Sequence, residues 1–243
     1  MSRRSRVRHV SNLGRQRQTR RPRQCILIVC EGVETEPNYL KSLRYKIGLT
    51  TVDVEIVGEG AEIIGVLNAA ERLRKERAAE AEVSSRRAPF DEVWCVVDTE
   101  RRNDNHSWAR GVEFARVHDL KLAWSNPCFE YWLLLHFERI GRSFDGYSAI
   151  KPRLKKHITH YEKSADCFEV LAPRIPTAIR HSKQIHAAQW RDSANAMDCN
   201  PATTVHELVE DLISVAEMTV EQYENQNPVP GSIRAKGKRG PRL

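Results

Sequence analysis

No apolar run in the sequence approaches the roughly 18–20 residues that a membrane-spanning helix needs. The first residues, MSRRSRVRHVSNLGRQRQTRRPRQ, are basic but lack an apolar segment, so they do not read as a secretory signal. Paired cysteines are also missing. Cys25, Cys30, Cys95, Cys128, Cys167 and Cys199 include no C-x-x-C pair, the spacing that structural zinc sites favour. Cys25, Cys30 and Cys95 fall in or beside apolar runs, where a free thiol acts as a small hydrophobe. The expectation is a cytoplasmic protein with reduced core thiols and no membrane attachment.

Acidic residues are absent from both ends. Residues 1–23 carry nine Arg and no Asp or Glu, and residues 226–243 carry Arg234, Lys236, Lys238, Arg239 and Arg242, again with no acid. Removing those nine and five positive charges from the net +7 leaves a body of −7. Dense Arg with little apolar content cannot offset the entropy of ordering, so both ends are expected to be disordered basic tails. Such arms either neutralise phosphates on nucleic acid, RNA or DNA, or serve as solubilising tails with a generic preference for polyanions. Residues 24–225 remain as one domain, a size that single domains routinely reach.

Within that domain, four apolar runs read as strands: Cys25–Cys30, Val52–Val57, Glu92–Val97 and Leu120–Trp124. The first and third are nearly continuous, as in strands covered on both faces of a parallel sheet. The second and fourth alternate more, which suits positions nearer an edge. Helical patterns over Pro37–Lys46, about Ala61–Glu82 and Ser107–Val117 separate them. The alternation predicts an α/β fold with a mainly parallel four-stranded sheet. Beyond Trp124 the chain reads as a helical C-terminal half: Pro127–Glu138, with Asn126 as N-cap and Pro127 at the first helical position, then Ala149–His157, Tyr161–Leu171, Thr177–Arg191 and Val205–Tyr223.

Two acids directly follow the two most apolar strands. Glu31 comes after Cys30 and Asp98 after Val97, and open parallel sheets bind ligands outside their strand carboxyl ends. Like charges brought together there call for a cation, and hard carboxylate oxygens suit Mg²⁺ or Mn²⁺. Gly32 allows a sharp turn or a close approach to phosphate. Glu36 is either a further ligand or an acid favouring a helix N-terminus. Glu100, two residues beyond Asp98, makes an acidic pair with it if the strand continues. Ser125, Asn126 and Glu130 leave the fourth strand at the same edge. For Glu130 the readings are a metal or supporting ligand, or a salt bridge to a nearby cation. Trp132, Leu133 and His136 read as core. Lys151, Lys155 and Lys156 form a basic face that either holds a phosphate, with Gly32 and Asn126, or faces solvent. His157, His160, His181 and His186 show no ligand pattern.

The segments CILIVCEGVETEPNYL (Cys25–Leu40), VWCVVDTE (Val93–Glu100), WSNPCFEYWLLLHF (Trp124–Phe137) and CNPATTVHELVE (Cys199–Glu210), in this order and spacing, resemble the RloB family. RloB-like proteins are similar to the Toprim domains of topoisomerases, primases and OLD-family nucleases. The resemblance implies that Glu31 matches the first Toprim glutamate, Asp98 the first acid of a D-x-D motif, and Glu36 the second glutamate of an E-G-x-x-T-E pattern. Here the second acid of D-x-D is Glu100, one methylene longer than Asp. The family's gene neighbourhoods imply bacterial anti-phage defence, beside restriction genes or an ATPase partner.

The expectation is therefore a Mg²⁺-dependent nuclease cleaving phosphodiesters in RNA, tRNA among them, or in DNA, with Glu31 as ligand or general base. The alternatives are a non-catalytic partner of an ATPase or restriction complex and a receiver-type phosphoacceptor at Asp98. The second is disfavoured because paired acids do not directly follow the first strand. A homo-oligomer is a further candidate assembly.

Overall fold

The computed structural model describes residues 24–56, 62–84, 87–99, 105–190 and 195–230. Residues 1–23, the charged part of the C-terminal basic stretch, and Glu100 lie outside them. In chain order the elements are β1 (Ile26–Cys30), α1 (Thr35–Lys46), β2 (Val52–Ile56), α2 (Ile63–Val83), β3 (Glu92–Asp98), α3 (Asn105–Val117), β4 (Lys121–Asn126) and α4 (Glu130–Leu135). There follow α5 (Tyr147–His157), α6 (Phe168–Leu171), α7 (Ile175–Trp190), β5 (Ala202–Thr203), α8 (Val205–Val215) and α9 (Val220–Gln226).

The strands form one sheet in the order β2-β1-β3-β4-β5. All pairings are parallel except the last, β4 with β5. β1 lies between β2 and β3 with every residue fully buried, because helices cover both faces. Ile26, Ile28 and Cys30 point into a core shared with α1 and the C-terminal helices. Leu27 and Val29 point into a second core under α2 and α3. A strand sandwiched in this way has no polar face to alternate with, which is why its sequence is unbroken apolar. No helix among the described residues is long and apolar enough to cross a membrane.

The sheet departs from expectation by one strand: it has five, with β2 at one edge and β4 next to the other, where β5 is added. β5 is two residues long, too short to show as an apolar run, and it docks chiefly through side chains. The Thr203 hydroxyl donates to the Trp124 carbonyl (2.9 Å), and the Ser125 hydroxyl lies 2.9 Å from Thr203 Oγ1. The Trp124 amide donates to Thr204 Oγ1 at 3.0 Å. These bonds carry β4 on through Ser125 and Asn126, so Asn126 does not cap the next helix. It precedes a cis peptide to Pro127, and α4 starts three residues later, at Glu130. The expected long helix over Val205–Tyr223 is instead two. Glu217 adopts a left-handed conformation (φ 57°), and Thr219 with Gln222 forms a capping box that starts α9. Of Tyr161–Leu171 only Phe168–Leu171 is α-helical.

Helices α2 and α3 meet at Gly111, where a Cβ would fall 2.7–2.8 Å from three side-chain carbons of fully buried Ile63. Gly111→Ala should therefore destabilise the fold by about 1–3 kcal/mol through overpacking. Urea unfolding at neutral pH would show it; an unchanged midpoint would mean the two helices separate freely.

Candidate functional site

β1 and β3 are adjacent and parallel, with Cys30 in register with Val96, so their carboxyl ends emerge side by side. That alone brings Glu31 and Asp98 together. The Glu31 amide extends the ladder by donating to the Val96 carbonyl (3.0 Å). Its carboxylate then turns across and accepts the Asp98 amide through Oε2 at 3.1 Å. Both residues are half-buried. One strand along, Asp98 is in register with Ser125 of β4.

Glu36 joins them from the first turn of α1, where it is only 7% exposed. Gly32 makes the room: a Cβ on it would fall 2.2 Å from Glu36 Oε2 and 2.5 Å from Oε1. Here the glycine serves close approach between its backbone and a carboxylate. Glu130, at the start of α4, is 1% exposed, and three donors address its Oε1. They are the Thr35 hydroxyl at 3.1 Å, the Tyr161 hydroxyl at 3.5 Å and the Lys163 ammonium at 3.5 Å. The salt-bridge reading of Glu130 is thus realised, with a lysine that sequence reasoning does not single out.

The electrostatics show these groups acting on one another. The Glu36 carboxyl is pushed up to about 7, first by burial and then by the Glu130 and Glu31 carboxylates, against its own backbone amide and Lys163. Lys163 is held above its usual value although burial works against its charge, because Glu130, Cys128, Glu36 and Asp98 face it. A raised carboxyl pKa favours the protonated folded state. Its stabilisation is complete below the ordinary value of 4.5 and is lost as pH rises through about 7. In EDTA, the wild type should lose about 3 kcal/mol across that window relative to Glu36→Gln. Parallel urea titrations over pH would check this, and identical slopes would place the proton on another group.

Glu31, Glu36, Asp98 and Glu130 are hard oxygen donors of the kind Mg²⁺ and Mn²⁺ take, and the Gly32 cradle crowds Glu36 into the acid cluster. Beside Asp98, the buried Thr99 hydroxyl has no hydrogen-bond partner among the described residues. In donor chemistry and charge the residues fit a divalent cation. Among the described residues no group of three or more His, Cys, Asp or Glu converges on one point, and Glu100 lies outside them.

Other expected residues are engaged elsewhere. The Asn126 carboxamide donates to the Ala196 and Met197 carbonyls at 2.9 and 3.1 Å, which ties β4 to the segment before β5. Lys155 and Lys151 each bind Glu162 at 2.7 Å, and Lys156 is exposed on α5. Trp132, Leu133 and His136 are core residues, as read from the sequence. His136 is held neutral, its pKa lowered to about 3 by burial. Its Nδ1 donates to the Trp132 carbonyl at 3.0 Å, leaving Nε2 to accept the Tyr39 hydroxyl at 3.3 Å. All six cysteines are free thiols.

A protein-family model described as RloB-like protein matches residues 26–212. Neither curated proteins nor solved structures give a match.

Proposed function

The chain belongs to the RloB-like protein family, and from that premise we propose a metal-dependent nuclease with a Toprim-like acidic site, acting on RNA or DNA in bacterial anti-phage defence. The observation that carries the reading is the Glu31 carboxylate hydrogen-bonded to the Asp98 amide at neighbouring strand ends, with Glu36 pressed against Gly32 beside them. Glu31 and Asp98 would hold Mg²⁺ or Mn²⁺, with Glu100 and Glu130 as further candidate ligands. When bound, the ion supplies Lewis-acid polarisation of a phosphate and a water of lowered pKa.

The chain's own groups divide the remaining work. Glu36, buried in the first turn of α1 and pressed against Gly32 beside Glu31, would accept a proton from an attacking water. This moves the general-base role from Glu31, where resemblance alone places it, to the neighbouring carboxylate. The Asp98 amide fixes the Glu31 carboxylate, so that it does not have to be ordered when substrate arrives. The basic tails would neutralise phosphates outside the site and make binding steeply salt-dependent.

The test is incubation of the full chain with total tRNA and supercoiled plasmid in Mg²⁺, Mn²⁺ or EDTA. Cutting in either metal and none in EDTA is expected. No cutting under any condition would transfer the reading to a non-catalytic partner of an ATPase or restriction complex.

A further inference from the structure

Among the described residues, Lys163 is a cation that stands against the acid cluster, and it stands there loosely. It lies in the turns between α5 and α6, two residues after Tyr161, and both side chains address the same oxygen of Glu130. Its ammonium is 3.5 Å from that oxygen, longer than the roughly 2.7–2.9 Å of a tight charge-assisted bond. Lys151 and Lys155, by contrast, hold Glu162 at 2.7 Å. The Lys163 side chain is half exposed while that of Glu130 is 2% exposed. The Tyr147 ring lies 4.6 Å from the ammonium and steadies it without neutralising it. If the ammonium departs, Glu130 Oε1 still has the Thr35 and Tyr161 hydroxyls, so the buried carboxylate is not stranded.

We infer that Lys163 is a tethered counter-ion that compensates the acid cluster in the absence of a divalent cation and competes with that cation for it. The inference rests on the proposed cation site at Glu31 and Asp98. Two positive species cannot both sit against the same few carboxylates without repelling, and a unit charge a few ångströms away at a partly wetted site is worth about 1–4 kcal/mol. Binding of the divalent ion therefore works against Lys163 and weakens its hold on Glu130.

The experiment is Mn²⁺ binding to the full chain, followed by the EPR signal of free Mn²⁺, for wild type, Lys163→Gln, Lys163→Arg and the distant Lys183→Gln. Lys163→Gln should bind Mn²⁺ about tenfold more tightly. Lys163→Arg, which keeps the charge, and Lys183→Gln should stay at the wild-type affinity. In EDTA, Lys163→Gln should also melt below wild type, and saturating Mn²⁺ should close that gap. Circular dichroism confirms that each variant is folded. Equal or weaker Mn²⁺ affinity in folded Lys163→Gln, with wild type still binding, overturns the counter-ion role and leaves the proposed site standing. Absence of binding in both wild type and Lys163→Gln overturns the proposed cation site and this inference together.

Discussion

Gly32→Ala should leave the fold nearly intact and cut metal-dependent cleavage by roughly 10²–10³-fold, the range associated with losing a positioned acid or base. The clash is with the end of a flexible side chain: the added Cβ would fall 2.2 and 2.5 Å from the two carboxylate oxygens of Glu36. The backbone need not move, because the carboxylate can. Once displaced, it leaves the company of Glu31 and Glu130, which repel it, so the lost packing is partly offset and stability should change by less than about 1 kcal/mol. Thermal melts and single-turnover cleavage on one preparation separate the two effects. A variant that melts far lower yet cleaves at the wild-type rate would show that Gly32 serves the fold and that Glu36 has no part in the chemistry.

Asp98→Asn should lower cleavage by roughly 10³-fold and abolish Mn²⁺ binding, because it removes a charged ligand while keeping the shape of the strand end. The amide of residue 98 still donates to Glu31, so the β1–β3 arrangement is preserved. Stability in EDTA should change little, since Asp98 is one of four groups whose charge favours the Lys163 ammonium and the other three remain in place. Binding isotherms and cleavage rates measured side by side would decide it. Full Mn²⁺ affinity in Asp98→Asn would move the cation away from the β3 end.

The parts of the fold legible in the sequence are those written by burial over several residues. β1 and β3 show as unbroken apolar runs because helices cover both sides of them, and parallel strands of matching register then force Glu31 and Asp98 together. β5 was not legible: two residues carry no periodicity, and Thr203 and Thr204 fasten it to β4 through hydroxyls. The boundary of α4 shifted for the same reason, since those bonds keep Ser125 and Asn126 extended. Asn126 looked like a cap and a phosphate contact, yet its amide protons go to Ala196 and Met197, partners 70 and 71 residues away that no local pattern announces.

The site was half legible. Its acids follow strands and are visible as such, whereas Lys163 sits in a turn that reads as helix, next to a Glu162 that draws Lys151 and Lys155 away. The crowding of Glu36 by Gly32 depends on the path of three intervening residues, and the glycine alone only hints at it.

The most direct test of the account compares wild type with Glu31→Ala in cleavage of total tRNA and plasmid, with Mg²⁺ or Mn²⁺ and with EDTA. Metal-dependent cutting by the wild type that disappears in folded Glu31→Ala is the predicted result. Equal cutting by both proteins would contradict a nuclease site at the carboxyl ends of β1 and β3.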